Sequence, residues 1–145
     1  MNEKQAHRVF LSYSHQDAAW VREFASTLKA SGISAWTDDD ILPGDNWRDA
    51  IEQALRDSNT LIMVLGPDTV GSPWIYFELG AAIADRKKII PVFIGDIDIN
   101  KVPLFVRQFQ GLKADSPKEA GLKVVQVMDF DDLAKDTKHA LVSGI

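Results

Sequence analysis

The feature that most constrains the fold of this chain is an apolar run that does not alternate. Residues 60–65 read Thr-Leu-Ile-Met-Val-Leu, and Gly66-Pro67 closes the run. A strand with one solvated face alternates polar and apolar side chains, whereas a strand covered on both faces does not. The run therefore predicts a central strand of a sheet that carries helices on both faces, as in an α/β domain.

Strand and helix patterns alternate on either side of this run. Short apolar stretches predict further strands at Val9–Ser14, Ile33–Thr37, Ile89–Ile94 and Gln110–Lys113. Amphipathic spacing predicts a first helix capped by Ser14 or Asp17, a second from Trp47, and others at Pro73–Lys87, Val102–Phe109 and Pro117–Met128. This alternation favours a parallel sheet with right-handed crossovers, and five units fit the flavodoxin-like strand order 2-1-3-4-5. Pro91 cannot donate to a ladder, so its strand is expected near a sheet edge or irregular.

The chain has 145 residues, which fits one domain of common size. We expect an extension at residues 1–8, the domain at residues 9–128, and an acidic tail or linker at residues 129–145.

Composition excludes several classes of function. The net charge is -5 and no basic stripe pairs with aromatic residues, so nucleic acid is not an expected partner. The absence of Cys excludes disulfides, thiolate zinc sites and a Cys nucleophile. No apolar stretch is long enough for a secretory signal or for a membrane span of roughly 20 residues. We therefore expect a cytoplasmic protein without a membrane partner.

The predicted strand order places a switch point between strands one and three, where ligands of such folds bind. Trp74 and Glu78 are four residues apart on the third helix and share one face. Glu78 lies beside an apolar stripe, where desolvation raises the pKa of a carboxyl, and a carboxylate stabilises positive charge at a glycosyl centre. The alternative is a solvated Glu78 paired with a neighbour. One interpretation of Trp74 and Trp47 is that they stack on an aromatic ring of a ligand, and the alternative is that they only pack within the protein.

The acidic run Asp38-Asp39-Asp40 resembles a metal cluster, but three consecutive residues do not converge easily on one cation. We assign it turn and helix-dipole roles, with Asp38 facing the crevice. His7, His15 and His139 lack metal-ligand spacing, and only His15 lies near the crevice. No Gly-x-Ser-x-Gly elbow supports a serine hydrolase. Neither a metal nor a cofactor is expected.

Four segments, in order and at compatible spacings, resemble the Toll/interleukin-1 receptor (TIR) family, in its bacterial, NAD-cleaving branch. They are the first box Phe10–Ser14, the tip of the BB loop Ile41–Gly44, the Trp-x-x-x-Glu helix Ser72–Leu79, and the fourth-strand box Ile90–Val92. The match covers Val9 to about Met128, and it favours a strand at Pro91.

The resemblance implies cleavage of NAD at the nicotinamide–ribose bond, giving ADP-ribose or a cyclic variant, in defence or signalling. Glu78 would be the catalytic residue, and NAD would be substrate rather than cofactor. Residues implied to bind substrate are Trp74 at the nicotinamide, Trp47 at the start of the second helix, Tyr13 of the first box, Asp38 after strand two, and Ser14 and His15. The last two stand where some members carry arginines near the phosphates, which implies weaker phosphate binding or donors from backbone N–H groups and a neighbouring subunit.

The resemblance also implies self-assembly through Leu42, Pro43 and Gly44, with a neighbour's BB loop completing the site and an attached or separate sensor as trigger. Two other functions stay open. The first is a non-catalytic adaptor that works through TIR–TIR contacts. The second is an enzyme of related fold that transfers deoxyribosyl groups through a Glu nucleophile. A phospho-acceptor receiver is disfavoured, because Ser-Tyr-Ser and Leu65-Gly66 stand where it needs acidic residues.

Overall fold

The fold is built on one parallel sheet, as seen in a computed structural model that describes residues 7–71 and 73–129, with the backbone alone at 73–75, 77 and 84. Five strands pair in the order β2-β1-β3-β4-β5, and every pairing is parallel. Their bounds are β1 Arg8–Ser12, β2 Ser34–Trp36, β3 Thr60–Leu65, β4 Lys88–Ile94 and β5 Leu112–Ala114. The predicted fold class and strand order are confirmed.

Helices cover both faces of the sheet. They are α1 Ala18–Ala30, α2 Trp47–Asp57, α3 Pro73–Ala84, α4 Leu104–Arg107 and α5 at residues 117–129, with short 3-10 turns at His15–Asp17, Asp38–Asp40 and Ile99–Lys101. On β3, Ile62 and Val64 join the core formed with α1 and α5, whereas Leu61, Met63 and Leu65 join the core formed with α2, α3 and α4. This two-sided burial explains why the β3 sequence does not alternate.

The third helix ends earlier than predicted, at Ala84 rather than Lys87. Arg86 adopts a left-handed conformation with φ 56°, and the Lys87 N–H bonds the Ala82 carbonyl at 3.0 Å. This is the Schellman pattern of a helix end, which most often uses Gly. A left-handed Arg gives no sequence signal, so the predicted end was wrong.

Pro91 lies in a regular strand, the second from the sheet edge. It is in register with Met63 of β3, while β5 pairs only with Val92–Ile94. Pro91 therefore sits outside the β4–β5 ladder, where its missing N–H costs no strand bond.

Several sequence predictions fall outside the described residues: most of the extension at residues 1–8, the acidic tail beyond residue 129, Ser72 and His139. The predicted domain bounds therefore stay a prediction. Within the described part, no helix is both long and apolar enough to cross a bilayer.

Candidate active site

Glu78 is buried at the carboxyl-terminal edge of the sheet. Its side chain is 3% exposed, although it lies in the first half of a helix. The hydroxyl of Ser12, the last residue of β1, donates a hydrogen bond to Glu78 Oε1 at 2.7 Å. The alternative of a solvated helix glutamate is therefore wrong, and the carboxyl is anchored to the central part of the sheet.

The environment of Glu78 brings its titration close to neutral pH. Burial raises the pKa of Glu78, the Ser12 hydrogen bond lowers it, and the negative charge of Asp38 raises it; together they bring the pKa from 4.5 to about 7. A buried carboxyl with a charged neighbour in a crevice is a common mark of a functional site. Near pH 7 the side chain is thus divided between its neutral and its ionised form.

Four of the predicted site residues line one small cavity beside the switch point. Glu78, Asp38, Tyr13 and Trp47 form its polar and aromatic walls. The remaining lining residues are Phe10, Leu11, Trp36 and Ile51. The cavity volume is about 30 Å³, which holds little more than a water molecule.

A hydrogen bond from the Tyr13 hydroxyl to Asp38 Oδ1 spans this cavity wall. Burial, the Asp38 hydrogen bond and the charges of Asp38 and Asp39 hold the pKa of Tyr13 well above its usual range. The phenol therefore stays protonated at physiological pH and acts as a donor to the carboxylate.

The three consecutive aspartates bind three different partners. Asp38 accepts from Tyr13, Asp39 pairs with Arg22 at 3.0 Å, and Asp40 accepts from the Thr37 N–H at 3.0 Å in a capping box. The turn role predicted for this run is confirmed, and Asp38 is the one that lines the cavity. Across residues 7–71 and 73–129, no three His, Asp or Glu side chains are grouped as metal ligands.

Not every predicted residue joins Glu78. Ser14 and His15 lie at the 3-10 turn after β1 and are not among the residues that line the cavity; His15 is exposed. The side chain of Trp74 lies outside the described residues. The cap position predicted for Asp17 is confirmed, since Asp17 is the N-cap residue of α1, and Ser14 is that of the preceding 3-10 turn. The predicted side-chain cap bond is wrong: neither residue makes one, and the Asp17 carboxylate accepts from Thr69 Oγ1 instead.

Sequence reasoning missed two contributors to the site. Ser12 holds Glu78, and Trp36 stacks on Phe10 with ring centroids 5.0 Å apart and planes 19° apart, forming part of the cavity wall. A hydroxyl ending an apolar strand was the available signal for Ser12. Trp36 looked like an ordinary strand residue, and nothing in the sequence marks it as a cavity wall.

The loop between β2 and α2 presents apolar surface. Leu42 is 66% exposed, Pro43 and Gly44 are also exposed, and Gly44 has φ 92°, a conformation that favours glycine. The Asp45 carboxylate accepts from the Leu42 N–H at 2.9 Å and closes the turn. The turn thereby holds the Leu42 side chain in solvent.

Comparison with known proteins places the chain in a family. The TIR domain model matches residues 9–140. The chain belongs to the TIR domain family. It is 30% identical over 121 residues to a probable 2′ cyclic ADP-D-ribose synthase of Methanobrevibacter olleyae, covering 80% of this chain and 35% of that protein. It is 32% identical over 93 residues to an NAD(+) hydrolase of Paracoccus denitrificans, covering 60% of this chain and 31% of that protein.

Solved structures share this TIR fold. A TIR-STING receptor of C. gigas in complex with 2′,3′-cGAMP matches with a TM-score of 0.70 at 21% identity, over 87% of this chain and 40% of that chain. The TIR domain of a Toll-related receptor of Hydra magnipapillata matches with a TM-score of 0.64 at 23% identity, over 92% of this chain and 99% of that chain. The chain spans about a third of the length of the two curated relatives, 35% and 31%.

Proposed function

We propose that this TIR domain cleaves NAD at the nicotinamide–ribose bond, in defence or signalling, when copies assemble. The observation that carries the proposal is the buried Glu78 carboxyl, held by Ser12 in a cavity that Asp38, Tyr13 and Trp47 also line. The relatives named NAD(+) hydrolase and cyclic ADP-D-ribose synthase support the same reaction class.

The chemistry suits a carboxylate at this place. The bond between ribose C1′ and nicotinamide breaks, and its electron pair leaves with nicotinamide. The ribose becomes oxocarbenium-like, and an ionised Glu78 beside it stabilises that charge. Water then adds at C1′ and loses a proton to give ADP-ribose, or a hydroxyl of the same molecule adds to give a cyclic product. NAD is the substrate, and no cofactor is consumed.

The other predicted residues fit supporting roles. Trp47, with Trp74, would stack on an aromatic ring of the substrate, while Tyr13 and Asp38 offer hydrogen-bonding groups to its hydroxyls. The turn bearing Ser14 and His15 follows β1 directly, and we assign it to the phosphates of NAD.

The size of the cavity supports activation by assembly. A volume of about 30 Å³ does not admit a nicotinamide ring, so the walls must part before substrate enters. Trp47 lines the cavity and is 52% exposed, so one of these walls borders solvent. We assign the trigger to self-association through Leu42, Pro43 and Gly44 in the cytoplasm, under an attached or separate sensor.

The first test is incubation of the concentrated protein with NAD, with nicotinamide followed by chromatography. Glu78→Gln keeps the size of the side chain but removes its charge, and the exposed Glu52→Gln is the matched control. Release by wild type and by Glu52→Gln, with loss of at least a hundredfold in Glu78→Gln, is the expected result. Equal release by Glu78→Gln would overturn the proposal.

A non-catalytic adaptor is the second candidate, and the small cavity together with the exposed Leu42 favours it. The two are separated by fusing the domain to an oligomerising scaffold. An adaptor stays silent toward NAD even when clustered, whereas the enzyme gains activity.

A further inference from the structure

We propose that Ser12 is the positioning residue of the site: its buried hydroxyl holds one oxygen of the Glu78 carboxylate against β1 and leaves the other oxygen to meet the substrate. This inference rests on the proposed function and assigns a role to a residue outside the predicted set.

The contact joins two rigid elements. Ser12 is 1% exposed, and its backbone lies in register with Met63 of β3 in the middle of the sheet. Glu78 belongs to α3, so a bond of 2.7 Å from Ser12 Oγ to Oε1 fixes a helix side chain to a strand. A site held by packed strands and helices keeps its geometry better than one held by loops.

Among the described residues, Ser12 is also the group that favours the ionised form of Glu78. The described causes of its pKa shift are burial, the Ser12 hydrogen bond and the charge of Asp38, and no cation is among them. Among the elements on the same side of the sheet as Glu78, β3 has no titratable side chain, and β4 has Lys88 at its first residue, away from the carboxyl-terminal edge. Arg107 of α4 donates a hydrogen bond to the Val102 carbonyl at 2.9 Å. Tyr13 and Asp38 face Glu78 across the cavity.

The inference is tested without activity by ¹³C NMR titration of the glutamate carboxyls, with the Glu78 signal assigned by its absence in Glu78→Gln. Ser12→Ala removes the donor, so the Glu78 midpoint rises by about one pH unit or more. Ser12→Cys retains a weaker donor of similar size, and its midpoint falls between the two. Asp38→Asn removes a repelling charge and lowers the midpoint. An unchanged midpoint in folded Ser12→Ala and Ser12→Cys would overturn the inference.

Kinetics then separate positioning from a charge effect alone. On clustered protein, kcat is measured well above the midpoint of each variant, where Glu78 is ionised in all of them. A positioning role predicts a kcat about tenfold lower in Ser12→Ala with KM little changed, because the carboxylate has lost its fixed orientation. Full recovery of kcat at high pH would overturn the positioning role. Failure of the proposed function is a distinct result, namely retained release of nicotinamide by Glu78→Gln.

Discussion

Thr69 Oγ1 lies 2.8 Å from Asp17 Oδ2 and joins the turn before α1 to the loop after β3. The same oxygen accepts from the Gly66 N–H at 2.8 Å. A Cβ at Gly66 would lie 3.0 Å from Asp17 Oδ1, so the small residue permits this close approach. These two loops flank the switch point, and the second leads into α3, the helix that carries Glu78.

Replacing Thr69 by Val keeps the shape but removes both hydrogen bonds. The buried Gly66 N–H and the half-buried Asp17 carboxylate then lose their partner, and the free energy of unfolding falls by about 2 kcal/mol. Urea denaturation measures the loss. Thr27→Val is the control, because Thr27 Oγ1 donates to the Glu23 carbonyl of its own helix, at 3.2 Å. Equal losses of unfolding free energy in Thr69→Val and Thr27→Val would show that the contact between the two loops stabilises the fold no more than a hydrogen bond within one helix.

Glu78 makes the stability of the domain depend on pH. Its pKa is 4.5 when unfolded and about 7 when folded, so the folded state binds the proton more tightly. That stabilisation is complete below pH 4.5 and is lost as pH rises through 7, at a cost of about 3 kcal/mol. Glu78→Gln does not titrate, so its stability relative to wild type should rise between pH 5 and pH 8. Denaturant unfolding at both pH values checks this, and Glu52→Gln should follow wild type.

The same titration governs the proposed reaction. Only the ionised carboxylate stabilises an oxocarbenium-like ribose, so kcat/KM for nicotinamide release should rise with pH through about 7 and level off above it. Asp38→Asn should move that rise to lower pH, because its charge raises the pKa of Glu78. A profile that is flat from pH 5 to pH 9 would exclude Glu78 ionisation from the rate.

The sheet order and the location of Glu78 were predictable because they depend on local patterns. The apolar run of β3 and the four-residue spacing of Trp74 and Glu78 on α3 are both visible in the sequence. The family resemblance linked these two signals. The hydrogen bond to Ser12 spans 66 residues and depends on how β1 and α3 align, which no local pattern states.

The sequence predictions that were wrong concern places where the local pattern does not decide the structure. Asp17 has the chemistry of a helix cap, but Thr69 offers its carboxylate a partner from another loop. Arg86 ends α3 in a conformation that sequence rules reserve for Gly, Asn or Asp. The volume of the cavity could not be predicted from the sequence either, because it depends on how the side chains of Trp36 and Trp47 pack.

The exposed tip of the β2–α2 loop should mediate self-association. Leu42→Glu places a charge where we propose that a second copy docks, so the dissociation constant should rise at least tenfold by sedimentation velocity. Because Leu42 is 66% exposed, the folding free energy should change by no more than about 0.5 kcal/mol. Leu122→Glu, at a residue of α5 that is 48% exposed, is the control and should associate as wild type. Unchanged association of Leu42→Glu would place the contact elsewhere.

Two helical glycines should respond oppositely to the same substitution. Gly80 of α3 is exposed with nothing within 4 Å of an added Cβ, so Gly80→Ala should gain about 0.8 kcal/mol from helix propensity. Gly121 of α5 packs on α1, and its Cβ would lie 2.6 Å from Thr27 Cγ2 and 3.6 Å from the Phe24 carbonyl oxygen. The helices must then separate, at a cost of about 1–3 kcal/mol that exceeds the propensity gain. Urea denaturation should show Gly80→Ala above and Gly121→Ala below wild type. A stabilised Gly121→Ala would mean that α1 and α5 are packed less closely than their contact indicates.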